Sequence, residues 1–93
     1  MGASPFITIA HSEDRDEAFR TAQDADRFEY GFGNGADAKD RCVVIDGPRT
    51  EAEAAEAANK LLSAGDPRVD DKWGPAGAIA IDGGWLFFGW YND

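Results

Sequence analysis

Residues 72–91, KWGPAGAIAIDGGWLFFGWY, hold all three tryptophans of the chain and are too apolar to lie in solvent. Two runs of branched and aromatic residues flank a pair of glycines, the pattern of a β-hairpin. A two-residue Gly83-Gly84 turn suits type I′ geometry. That register sets Asp82 opposite Trp85, Ile81 opposite Leu86, Ala80 opposite Phe87 and Ile79 opposite Phe88. Side chains along a strand alternate between faces. One face then receives Ile79, Ile81, Leu86, Phe88 and Trp90, dense enough to lie under helices. The other receives Ala78, Ala80, Trp85, Phe87, Gly89 and Tyr91: small residues with three aromatics standing on them.

The rest of the chain supplies two more strands and two helices. Phe6–Ala10 is short, apolar and β-branched, which predicts a strand. Ser12 is a helix cap followed by Glu13, Asp14, Asp16 and Glu17, which suit a helix N-terminus. Ala18, Phe19, Ala22, Ala25 and Phe28 then recur at helical spacing, and the helix ends near Tyr30-Gly31. A glycine-rich connector covers 32–40, with an additional strand admissible within 28–40. Arg41–Asp46 reads as a buried strand closed by Gly47-Pro48. Thr50-Glu51-Ala52-Glu53 is a capping box, and the helix it opens runs to about Ser63. The expected order is β-α-β-α-β-β in a single domain spanning 1–93. The expected class is α+β: a two-layer sandwich with both helices on one face of a small mixed sheet. The second sheet face then lacks helices to cover it.

Charge narrows the function classes. The chain carries 18 acidic and 9 basic residues, a net charge of −9. Such a surface disfavours direct nucleic-acid binding through phosphates and docking on anionic membranes. It favours a basic protein partner, or mimicry of nucleic acid, although the acidic residues are spread along the chain rather than blocked. No apolar run approaches a membrane span, and Met1-Gly2-Ala3-Ser4-Pro5 lacks the features of a leader, so a cytoplasmic location is expected. Cys42 is the only cysteine, which rules out an internal disulfide.

No catalytic constellation emerges, and the chain is expected to be non-enzymatic. His11 and Cys42 fall at opposite ends of strands that a β-α-β unit makes parallel, which separates them by roughly 15 Å. Asp66, Asp70 and Asp71 lack the spacing of a calcium loop, and no zinc or phosphate-loop motif is present. No metal or cofactor is expected. Gly31, Gly33 and Gly35 alternate, but a helix precedes them and a strand follows, the reverse of a dinucleotide fingerprint.

The run Trp73-Gly74-Pro75-Ala76-Gly77-Ala78-Ile79 followed by Leu86-Phe87-Phe88-Gly89-Trp90 resembles small uncharacterised proteins of actinobacteria and their phages. The resemblance implies a context and no mechanism. Two functional readings follow from the residues. The first is a protein–protein interaction factor, a phage or prophage accessory protein binding a host protein or pairing as a homodimer. Its contact residues are Trp85, Phe87 and Tyr91 on the open sheet face, with Trp73 beside them. The second is a small-molecule or nucleotide-binding protein using Gly33, Asn34, Gly35 and Lys39, with a pocket bordered by His11, Asn34 and Lys39.

Overall fold

Both turns of the chain into its sheet are crossovers between parallel strands, and their directions decide the architecture. The computed structural model describes residues 2–92. The elements are β1 (Ala3–Ala10), α1 (Arg15–Tyr30), a 3-10 turn (Gly35–Ala38), β2 (Cys42–Arg49), α2 (Glu51–Ala64), β3 (Ala76–Ile81) and β4 (Gly84–Asn92). The four strands form one sheet in the order β1-β4-β3-β2. β4 is antiparallel to both neighbours, and β2 runs parallel to β3. The α+β class, the β-α-β-α-β-β order and the mixed sheet are as expected.

The placement of the helices is not. From β1 the chain crosses the whole sheet to β2, then turns back one strand to β3. Parallel crossovers share one hand, so two crossovers in opposite directions pass over opposite faces. Accordingly α1 packs through Ala18, Phe19 and Ala22 on Phe6, Ala10, Ala78 and Phe87. α2 packs through Ala54, Ala58 and Leu62 on Ile79, Ile81, Leu86 and Phe88. The expected two-layer sandwich with both helices on one face is thus corrected to one helix on each face.

Local signals explain most element boundaries. Thr50 and Glu53 form the capping box at the start of α2: the Glu53 amide donates to Thr50 Oγ1 at 3.2 Å and the Thr50 amide to Glu53 Oε1 at 3.1 Å. α1 is capped by Asp14 rather than Ser12, its carboxylate accepting from the Glu17 amide at 3.0 Å. The hairpin turn is Asp82-Gly83, one residue earlier than expected, so Ile79 faces Leu86 and Ala78 faces Phe87. Positive φ occurs there at Gly83 alone, at +75°, whereas type I′ geometry requires it at both central residues. The shift moves each cross-strand partner by two residues, so the predicted sorting of side chains between faces survives. The segment 28–40 adds no strand, being the end of α1, a turn and the 3-10 turn.

Both sheet edges are irregular. β1 contains Pro5, and β2 contains Gly47-Pro48. β2 also slips register against β3 twice, between Val44 and Asp46 and between Asp46 and Arg49. Asp46 braces this edge by accepting from the Gly47 amide and from Arg49 Nε, both at 2.7 Å.

Phe87 and Phe88 are adjacent, point to opposite faces and are both fully buried. Replacing either with alanine leaves a cavity beneath a different helix. Phe87→Ala and Phe88→Ala are each expected to cost about 3–5 kcal/mol, measured by denaturant unfolding.

Candidate functional site

The aromatic sheet face anticipated as a contact surface lies beneath α1. Phe87 is 0% exposed, with its ring centroid 5.1 Å from that of Phe19. Tyr91 is partly buried, 6.3 Å from the Phe6 ring. Trp85 is also partly buried and donates from Nε1 to the Glu13 carbonyl at 2.9 Å, fastening the segment that leads into α1. The expected open face holding Trp85, Phe87 and Tyr91 is therefore corrected, because the crossover to β2 carries α1 over it. Trp73 alone of the four is exposed, at 70%, with the Lys72 ammonium 5.5 Å from its ring centroid.

The glycine-rich segment is a structural plug rather than a cradle. Asp26 is buried on the sheet side of α1 and accepts from Thr8 Oγ1 at 2.7 Å and from the Ala36 amide at 2.6 Å. That one carboxylate joins β1, α1 and the 3-10 turn. Gly35 lies against it, and a Cβ at Gly35 would stand 2.5 Å from Asp26 Oδ2. Asn34 donates from Nδ2 to the Tyr30 carbonyl at 2.8 Å, satisfying the end of α1. The Gly33 amide donates to Asp37 Oδ2 at 2.8 Å. The groups predicted to face a ligand are turned inward.

Lys39 has the same character. It is 3% exposed and donates from Nζ to the carbonyls of Lys72 at 3.0 Å and Asp71 at 3.4 Å. Its stem lies over Gly89, and Gln23 Nε2 donates to its carbonyl at 2.6 Å. Lys39 thus ties the α1–β2 connection to the α2–β3 connection. Burial lowers its pKa from the ordinary 10.5, with Asp71 partly opposing that shift.

The predicted pocket among His11, Asn34 and Lys39 does not match this arrangement. His11 is exposed, its ring 3.6 Å from the Glu51 carboxylate at the start of α2, while Asn34 and Lys39 bond to the end of α1 and to the 71–72 carbonyls. Two surface depressions lie instead on the outer side of α2, one bordered by Asn59, Lys60 and Ser63 and the other by Arg49, Glu53 and Ala57. Cys42 packs against the core under α1, and burial raises its thiol pKa. Among the described residues no group of three or more His, Cys, Asp or Glu is placed to hold a metal ion. No helix among them is long and apolar enough to cross a membrane.

The exposed aromatics are elsewhere. Phe28 is 93% exposed, Tyr30 57% and Phe32 85%, all within the last turn of α1 and the bend after it. Phe28 had been assigned to the inner stripe of α1. It stands nine residues after the buried Phe19, two and a half turns along the helix at about 100° per residue, and so faces away. The buried arc is Ala18, Phe19, Ala22 and Asp26. The signal was present in the spacing, but it required a polar Asp26 to be read as part of the core.

The bend that carries Phe32 is firmly held. Arg27 donates to Asp37 Oδ1 from NH2 at 2.7 Å and from Nε at 3.2 Å, and also approaches Asp24 at 3.4 Å. Its guanidinium lies 5.3 Å from the Phe32 ring centroid. Comparison with protein-family models, with curated proteins and with solved structures finds no match.

Two pH dependences follow. The bond from Arg27, aided by the Gly33 amide, holds the Asp37 carboxyl below its ordinary pKa of 3.8. The folded state therefore binds that proton less tightly than the unfolded chain. The stabilisation is complete above the ordinary pKa and is lost as pH falls through the lower folded value. Unfolding of Asp37→Asn should accordingly lose less stability than wild type on acidification below about pH 4.

Lys39 has the same sign in the alkaline range, because its folded pKa is also lowered. Its contribution is complete above the unfolded value and falls away as pH drops through the folded one. Stability measured between neutral pH and about pH 10 should rise in wild type, and rise less in Lys39→Met.

Proposed function

We propose that this is a small acidic, non-enzymatic protein–protein interaction factor of the cytoplasm, whose contact surface is the aromatic end of α1. The observation that carries the reading is the exposure of Phe28 and Tyr30 in the last turn of α1 and of Phe32 on the braced bend that follows. Exposed aromatics grouped in this way are the usual anchors of protein interfaces, since they bring large area at small entropic cost. Their support is rigid, as Arg27, Asp37 and Asn34 fix the chain on both sides of Phe32. Contact made there requires little ordering on binding.

A net charge of −9 supports a basic partner over a second copy of the chain, because two copies repel one another. Phe28→Ser/Phe32→Ser tests the reading. Both positions are exposed, so melting should shift little, within about 0.5 kcal/mol of stability for each substitution. Immobilised wild type should retain a protein from lysate that the double variant does not. Retention unchanged by the double variant would overturn the assignment. Sedimentation separates the homodimer: a wild-type dimer made monomeric by the same substitutions would identify a second copy as the partner.

A further inference from the structure

We infer that the aromatic end of α1 receives an arginine- or lysine-rich segment of its partner, with cationic side chains seated on the aromatic faces. The inference rests on the contact surface proposed above and specifies its occupant. Two of the chain's exposed aromatics already hold a cation of the chain itself. Arg27 lies over Phe32 at 5.3 Å, and Lys72 lies over Trp73 at 5.5 Å. A cation over an aromatic face is attracted by the negative charge of the ring centre. Phe28 and Tyr30 are exposed and hold no such cation among the described residues.

The surrounding charge favours the same occupant. Asp24, Glu29 and Asp37 flank the three aromatics in sequence, and Arg27 is the one cation among them. That guanidinium is engaged by both Asp37 and Asp24. Glu29 is exposed and takes part in no ion pair among the described residues. Elsewhere the chain's cations are largely committed: Arg15, Arg41, Arg49, Lys60 and Arg68 are ion-paired and Lys39 is buried. A partner cation arriving at Phe28 therefore meets aromatic faces and carboxylates with little local repulsion. An anionic segment meets the opposite field, and an apolar one leaves Glu29 unanswered.

An oligo-arginine peptide, its oligo-lysine counterpart and an oligo-citrulline peptide of the same length supply the probes. Citrulline keeps the shape of arginine and removes its charge. Amide shifts of the full-length protein, titrated at low salt, give both location and affinity. The arginine and lysine peptides should perturb residues 27–33 foremost, and the citrulline peptide should bind at least tenfold more weakly. Phe28→Leu/Tyr30→Leu keeps apolar bulk while removing the two rings that hold no cation of the chain. It should weaken arginine-peptide binding by roughly tenfold, as expected for two exposed cation–π contacts.

Shifts spread evenly over the acidic surface and unchanged by the leucine variant would mean polyelectrolyte attraction only, and would overturn the inference. Equal binding of the citrulline peptide would overturn it as well, assigning the site to apolar contact. If the arginine peptide fails to bind while lysate capture still depends on Phe28 and Phe32, the basic segment is wrong and the contact surface stands. If neither depends on these residues, both fall.

Discussion

β4 must be covered on both faces, and the remaining elements are arranged around that demand. It is hydrogen-bonded on either side, to β1 and β3, so its backbone is satisfied within the sheet. Its consecutive Phe87 and Phe88 point to opposite faces and leave neither free for water. Exposing one such side chain forfeits about 2–3 kcal/mol. With two helices in the described chain, each face receives one. The crossover order accomplishes this directly, by passing across the sheet one way and back the other. The alanines of both helices, Ala18 and Ala22 in α1 and Ala54 and Ala58 in α2, allow close approach over such bulky strand residues.

α1 does not cover its face alone. Asp26 reaches both Thr8 and the Ala36 amide, which draws the 3-10 turn onto the sheet beside the helix. Asp26 is costly to bury without partners, and here Oδ2 accepts from both Thr8 and Ala36. This arrangement turns the last residues of α1 outward. Phe28, Tyr30 and Phe32 are exposed because the chain beyond Asp26 is already committed to the plug, with Asn34 closing the helix end and Asp37 closing the bend. The exposure of these aromatics is thus a by-product of how a small domain seals its core.

Much of the fold was legible in local chemistry. The capping box fixed the start of α2, and alternation in β3 and β4 sorted Phe87 from Phe88 correctly even though the turn lay one residue away. What local chemistry did not carry was strand order. β1 and β2 stand at the two edges; Pro5 and Pro48 suit edge strands but do not say which strands lie between them. Without that order, the two helices look free to share a face, and Trp85, Phe87 and Tyr91 look exposed. In the structure the crossover between those edges carries α1 over all three. Phe28 was readable from its angle to Phe19, but an aspartate at the inner position of the helix broke the apolar stripe. Gly33, Asn34, Gly35 and Lys39 stand out in the sequence as a group, but they serve the fold: the Gly33 amide bonds to Asp37, Asn34 to the Tyr30 carbonyl and Lys39 to the 71–72 carbonyls, and Gly35 packs against Asp26.

The irregular edges have a consequence for how this protein changes over time. Pro5 and the twice-slipped β2 leave poor templates for another strand, so association by backbone pairing is discouraged. Recognition then falls to side chains that stand outside the core. Backbone pairing is nearly blind to sequence, whereas a handful of exposed side chains can be exchanged one at a time without disturbing what lies beneath them. A lineage carrying this fold is free to alter the surface it presents by single substitutions, while its sheet and helices stay as they are.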